Sequence, residues 1–287
     1  MKSILLATDL AAEADRALER ALNLATTLSA KLHILHVYPA YSFSKEKKSA
    51  SLLKHDTEES LKSYLAGYKK LKNLQPTISA IEGREIFVEI IQYAEKVKAS
   101  LIVMGMHSKA KLRDMFVGTT VERVIRNGVK PVLMVKDKPL GDYKNILVGT
   151  DFSAGSKQAL HVALELAPKS FFHLVYSYDI PDTYIGEKII QYAGDVVEKT
   201  ENDKLERFVN ENSKVIKKFG VEPKNICHRV AHGAAFSCLM QEADELKSDL
   251  LAIGTHSRAI LMPYKLGGTA HDILNNPPCD VLVARGL

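Results

Sequence analysis

Short apolar runs alternate with longer amphipathic stretches along the chain. In the first half the apolar runs fall at 3–8, 32–37, 77–81, 101–104 and 132–135. They are brief, mostly apolar and bounded by polar turn residues, which is the pattern of strands covered on both faces of a parallel sheet. Between them, residues 11–28, 45–74, 84–98 and 119–126 have helical spacing; Ile86, Ile90, Ile91 and Ala94, for example, share one helical face. The second half repeats the order, with strands expected at 144–149, 171–176, 225–230, 250–253 and 281–284. Strand and helix in alternation imply right-handed crossovers, so the fold class is α/β, with a doubly wound, five-stranded parallel sheet in each half.

The halves are copies of one unit. KSILLATDL from Lys2 aligns with KNILVGTDF from Lys144, which puts Asp151 142 positions after Asp9. LNLA from Leu22 aligns with LELA from Leu164 at the same spacing. LIVMGMHSKA from Leu101 matches LLAIGTHSRA from Leu250, and PVLMVK from Pro131 matches DVLVAR from Asp280, both 149 positions apart. The second copy therefore carries a net insertion of seven residues in its middle. The Pro, Gly and charges of 137–142 read as a linker, giving domains at 1–138 and 143–287. The last run of each copy stays apolar to its end and is expected at a sheet edge, where unpaired backbone groups invite pairing. We expect those edges to pair antiparallel, so that the copies pack as an internal pseudo-dimer, with association of two chains into a homodimer through helices left open.

Composition narrows the class. With 46% hydrophobic and 25% charged residues among 287, the chain is that of an ordinary globular protein and not of a disordered or fibrous one. The net charge of +5 comes from 39 basic and 34 acidic residues without a like-charge block, so nucleic acid is not expected as a partner. Cys227, Cys238 and Cys279 are an odd number without a secretory apolar segment, which suits reduced thiols and a cytoplasmic location. No apolar run approaches the roughly 18 residues that span a bilayer, so no membrane is expected.

The chemistry-bearing residues cluster just after the strands, where an open parallel sheet places its ligand crevice. Thr8-Asp9 follows the first run; Gly105-Met106-His107-Ser108 follows the fourth, and nine residues later Gly118-Thr119-Thr120 opens a helix. A glycine-bounded loop running into a helix amino terminus offers free N–H donors and a positive dipole end to a phosphate. Ser108, Thr119 and Thr120 add hydroxyls, while Lys109, Lys111 and Arg113 add positive charge. Plainer roles remain open: Asp9 and Asp151 are also suited to capping helices, and His107 and His256 to hydrogen-bonding within loops. Other motifs fail on spacing. Gly155-Ser156-Lys157 follows Gly149 by five intervening residues where a Walker A loop needs four, and no G-x-G-x-x-G or G-x-S-x-G occurs. Cys227, His228, His232 and Cys238 lack a zinc spacing, so neither a metal nor a catalytic residue is assigned.

Over both copies, the opening I-L-x-x-T-D-x strand, the G-x-H-S loop and the closing P-V-L-x-V strand resemble the tandem universal stress proteins. The resemblance implies a Rossmann-like, adenine-nucleotide α-hydrolase-like fold. The family's nucleotide-binding members carry G-x2-G-x9-G-[ST] and bind ATP. Carried over, this implies that Asp9 and the backbone around Val37 hold the base, and that Gly105, Ser108, Gly118 and Thr119 hold ribose and phosphates. Ala7, Thr8, Met104, His107 and Thr120 stand beside them. In the second copy the matching residues are Asp151, Gly254, Ser257, Gly267, Gly268 and Thr269. Ser108 replaces the motif's second glycine and adds a Cβ there. Gly268 stands where the family has a hydroxyl, with Thr269 one place later, so either the loop is re-registered by one residue or a phosphate contact is lost. The expected function is a stress-response protein that binds ATP (or ADP or AMP, with Mg accompanying the nucleotide) in one or both domains, and acts on an unidentified protein partner. A slow ATP-hydrolysing or phosphotransfer enzyme, and a scaffold for another small ligand, are the alternatives. Cysteines placed at Leu133 and Leu282 are expected to cross-link if the terminal strands pair; failure to cross-link in either register would exclude that pairing.

Overall fold

Each apolar run of the sequence forms a strand; the central ones are buried along nearly their whole length, and those at Thr77–Gly83 and Ile226–His232 are partly exposed. The computed structural model describes residues 1–9, 14–39, 50–68, 71–106, 119–179, 187–255 and 266–286, and the chain divides into two units, Met1–Asp142 and Tyr143–Leu287. In the first unit, β1 (Ser3–Ala7), β2 (Lys31–Pro39), β3 (Thr77–Gly83), β4 (Leu101–Gly105) and β5 (Val132–Val135) lie in the order β3-β2-β1-β4-β5, with their described pairings all parallel. The helices are α1 (Ala14–Thr27), α2 (Ala50–Leu65), α3 (Leu71–Leu74), α4 (Ile86–Lys96) and α5 (Thr120–Asn127). Ile4, Leu5, Leu6, Leu101 and Val103 are fully buried, so β1 and β4 form the centre of the core.

The single helix expected over 45–74 is instead two. Past Leu65 the backbone tightens: the Ala66 N–H reaches both Lys62 O and Ser63 O, and the Tyr68 N–H bonds Leu65 O, three residues back. Gly67 lies within this turn, and glycine's low helix propensity favours a break there. The expected linker at 137–142 is tied to α1 by Arg20, which donates to Gly141 O at 2.8 Å, and just before it Arg16 donates to Lys136 O at 2.6 Å.

The second unit repeats the plan. Its strands β6 (Asn145–Gly149), β7 (Phe171–Tyr178), β8 (Ile226–His232), β9 (Leu250–Gly254) and β10 (Asp280–Ala284) run in the order β10-β9-β6-β7-β8. The helices are α6 (Ala154–Leu166), α7 (Glu187–Glu211), α8 (Ser213–Lys218), α9 (Ala235–Glu245) and α10 (Gly268–Asn275). The inserted residues fall between β7 and β8, where α7 runs for 25 residues. It stops at Asn212, which is fully buried, donates to Phe208 O at 2.7 Å and bonds His161 Nε2 at 2.7 Å. Among the described residues no helix is long and apolar enough to cross a membrane.

The copies share a histidine inside the sheet. His33 pairs with Leu5 and His173 with Leu147, the same place in each repeat. His33 sits edge-on to Tyr93 of α4, whose hydroxyl bonds Ser79 at 2.7 Å. The positions equivalent to Ser79 and Tyr93 carry Arg229 and Glu242, an ion pair, so a neutral pair in one copy is a charged pair in the other. The His33 Nδ1 is buried without a hydrogen-bond partner among the described residues, and burial, assisted by Lys31, holds its pKa below the ordinary 6.5. Burial and Arg229 depress His173 likewise. The neutral rings therefore belong to the folded state, while the unfolded chain takes up protons first as pH falls. Stability from this source is complete above about pH 6.5 and declines on acidification toward the folded pKa, by at most about 1.4 kcal/mol per pH unit for each ring. The urea midpoint is expected to fall between pH 7.5 and 5.5, and to fall less in His33→Leu; equal slopes would assign the acid sensitivity to other groups.

Candidate functional site

The strand order of the second unit reverses direction between β6 and β9, and such a switch point opens a crevice at the carboxyl ends of the strands. A cleft of about 320 Å3 lies there, at the small end of the range for small-molecule sites. Its lining comes from six elements. The end of β6 supplies Gly149, Thr150 and Asp151; β7 supplies Val175, Tyr176 and Ser177; β9 supplies Ile253, Gly254 and Thr255; and α10 supplies Gly268, Thr269 and Ala270 behind Gly267. Ala235 and Leu239 of α9 form an apolar side, and Ser156 of α6 completes the wall.

The turn that carries Asp151 is tied down by its own polar groups. The Thr150 N–H extends the sheet to Val175 O at 2.9 Å, and Thr150 Oγ1 accepts from the Phe152 N–H at 3.1 Å. Asp151 Oδ1 accepts from the Ser153 N–H at 3.0 Å, and the Ser153 Oγ in turn caps α6 by accepting from the Ser156 N–H. Asp151 is thus not the cap itself; the helix begins later, and the half-buried carboxylate remains at the cleft.

Gly254 has a packing reason to be glycine. A Cβ there would stand 2.6 Å from the Ser156 nitrogen and 2.8 Å from the Gly155 carbonyl carbon, so the end of β9 presses directly on the first turn of α6. Gly268 is the opposite case, since a Cβ on it would meet nothing within 4 Å. The loop after Gly254 closes where the Gly267 N–H bonds Thr255 O at 2.9 Å. Gly267 is then the N-cap of α10 and makes no side-chain cap bond. The equivalent of Gly267 by repeat spacing is Gly118, yet α5 is capped by Thr119, so α10 begins one residue earlier than α5. The shift does not bring Thr269 to the capping place that Thr119 holds in α5: the glycine takes that place, and Thr269 is the second residue of α10.

In the first unit, Ala7, Thr8, Val37 and Met104 are buried around the matching strand ends, Asp9 is exposed and Gly105 closes β4. Thr119 and Glu122 form a capping box: Thr119 Oγ1 accepts from the Glu122 N–H at 3.3 Å, and Glu122 Oε2 accepts from the Thr119 N–H at 2.9 Å. The buried Glu122 carboxylate, favoured by the helix dipole, takes the N-cap N–H of α5, whereas the N-cap N–H of α10, that of Gly267, is taken by the Thr255 carbonyl. Thr120 follows as the first residue of α5. His107, Ser108, Gly118 and Ser257 lie outside the described residues, as does His256.

The sequence reading thus placed Asp151, Gly254, Gly267, Gly268 and Thr269 in one cleft, and overlooked Thr150, Ser156, Tyr176, Ser177 and Thr255. A signal for Ser177 existed: it occupies in β7 the register that Val37 occupies in β2. Among the described residues no group of three or more His, Cys, Asp or Glu could hold a metal ion.

Comparison with known proteins gives consistent results. The family model described as the universal stress protein family matches twice, over residues 1–136 and 142–285. A universal stress protein of Methanocaldococcus jannaschii is 32% identical over 143 residues, covering 47% of this chain and 82% of that protein. Universal stress protein E of Escherichia coli is 25% identical over 212 residues, covering 69% of this chain and 65% of that one. The solved structure of a universal stress protein from Archaeoglobus fulgidus superposes with a TM-score of 0.67 at 18% identity, over 99% of this chain and 96% of the other, and supports the fold.

The contact at Gly254 predicts that Gly254→Ala destabilises the second unit by about 1–3 kcal/mol, because backbone cannot move aside as a side chain can. Gly268→Ala, with open space around it, is expected to leave stability nearly unchanged. Chemical denaturation of the two variants checks both; equal losses would contradict the close approach.

Proposed function

The chain belongs to the universal stress protein family as a tandem of two of its domains, and from that premise we propose that it binds an adenine nucleotide, ATP foremost, in the cleft of the second unit. One observation carries this: the cleft joins a carboxylate, a strand-end backbone and an uncapped helix amino terminus. A carboxylate such as Asp151 accepts from the exocyclic amine of adenine, and the backbone at Val175–Ser177 borders the same side. Phosphate oxygens suit the N–H groups of Gly268, Thr269 and Ala270, with the hydroxyls of Thr255 and Thr269 beside them. Gly254, Gly267 and Ser257 complete the proposed set, Ser257 from the family motif alone.

In the first unit the same proposal names Ala7, Thr8, Asp9, Val37, Met104, Gly105, His107, Ser108, Gly118, Thr119 and Thr120. There an anion at α5 would meet the negative charge of the Glu122 carboxylate at the same helix end, so the tighter site is assigned to the second unit. Occupancy would act by population shift. Nucleotide bound at Gly267–Ala270 favours whichever state of the unit binds it better, and a partner that distinguishes the states reads the difference.

Mass spectrometry of whatever copurifies, followed by titration of ATP, ADP and AMP, tests the proposal. Asp151→Ala is expected to weaken nucleotide binding about ten- to hundredfold, the usual worth of a hydrogen bond to a charged group, and Asp9→Ala to leave the tighter site intact. Absence of binding in the wild type, or its loss only in Asp9→Ala, would overturn the assignment. Steady-state phosphate release at the rates of ordinary enzymes would favour a hydrolase instead.

A further inference from the structure

Phe152, directly after Asp151, has φ +62°, in the left-handed region that a bulky side chain rarely adopts. Such strain persists only where the surroundings hold it. Here two kinds of restraint do so. Its N–H is fixed to Thr150 Oγ1, and the next N–H, of Ser153, to Asp151 Oδ1. Its ring lies 4.5 Å from that of Tyr176, tilted by 43°, and 5.7 Å from that of Phe208, tilted by 60°. Tyr176 lines the cleft, whereas Phe208 belongs to α7 and is buried away from it. Three rings therefore connect the helix that carries the insertion to the wall of the cleft. The first copy has Leu10 and His36 at the positions of Phe152 and Tyr176, so the aromatic chain is particular to the second.

From this geometry we propose that Phe152 is a positioning residue: its ring, wedged between Phe208 of α7 and Tyr176, holds the left-handed backbone that sets the Asp151 carboxylate at the cleft, and so couples α7 to the site. The coupling deepens the nucleotide assignment and rests on it for the identity of the ligand, but not for the placement of the turn. Displacement of α7 by a partner would loosen the Asp151 turn, and nucleotide would resist that displacement to the same degree, as reciprocity requires.

The test uses Phe208→Leu, remote from the cleft and conservative in volume, and Phe152→Gly, which tolerates the backbone conformation but removes the ring. Two readouts are taken on each: amide hydrogen exchange of Phe152 and Ser153 in the nucleotide-free protein, and affinity for ATP. Both variants are expected to speed exchange at these two amides while the core amides of β6 and β9 keep their protection. Both are expected to weaken ATP binding by about two- to thirtyfold, the range of coupling through packed side chains. Unchanged exchange at Phe152 and Ser153 in Phe208→Leu, or acceleration shared equally by the core amides, would overturn the positioning role. If the wild type binds no ATP while the two amides respond as expected, the nucleotide assignment fails and the coupling stands.

Discussion

The close approach of Gly254 to the first turn of α6 is the contact on which the second unit's site depends. With no side chain on Gly254, the carboxyl end of β9 can press on Gly155 and Ser156. That contact fixes the amino end of α6 beside β9, and with it the turn from Thr150 to Ser153 that feeds the helix. The same strand end leads into Thr255, whose carbonyl receives the Gly267 N–H and so sets where α10 begins. One backbone contact thereby locates both the carboxylate of Asp151 and the donors of α10. Side-chain packing alone could hold neither so closely, because each is borne on a connection between elements and not inside one.

Duplication allowed the copies to satisfy the same backbone needs differently. At the first turn of α5 the orphan N–H groups are partly met by the Thr119 and Glu122 side chains. At α10 the cap is a glycine, with a second glycine following, and the N-cap residue makes no side-chain bond. Orphan donors at a helix end must be met by side chain, water or ligand. The first unit thus meets part of this need with its own side chains, while at α10 the N-cap donor is met by the backbone of Thr255. A similar exchange occurs inside the sheet, where the Ser79–Tyr93 hydrogen bond of one copy is replaced by the Arg229–Glu242 ion pair of the other. The apolar centre of each sheet barely changes, since Leu5 and Leu6 correspond to Leu147 and Val148, all fully buried.

The architecture was legible because burial on both faces leaves an unmistakable mark on short strands, and because the repeat tests each assignment twice. Helix ends were less so. The break after Leu65 depends on how a single turn tightens, and hydrophobic spacing on either side of Gly67 gives no sign of it. The candidate site was half legible. Asp151, Gly254 and Thr269 sit at fixed offsets from recognisable strands, so sequence could place them. Ser156 could not be placed that way, because what brings it to the cleft is the pressing of β9 on α6. The left-handed Phe152 was not legible either, since hydrophobic spacing carries no mark of a single residue's φ and its ring contacts come from Tyr176 and Phe208, distant in sequence.

A site built on an uncapped helix and a strained turn has a thermodynamic consequence. Both features make the empty second unit less stable than an otherwise identical domain with a capped helix and a relaxed turn. A ligand that binds only the folded form returns stability in proportion to the logarithm of its concentration over its dissociation constant. The first unit, with its capping box, gains less from the same ligand at the helix end. Nucleotide level would then alter the relative stability of the two halves of one chain, without any change in their hydrophobic cores. In this light the insertion in α7 is placed where it matters: Phe208 bears on the strained turn, so whatever restrains α7 acts on the less self-sufficient of the two units. The chain's doubling thus joins a unit that is largely complete in itself to one whose stability is open to adjustment.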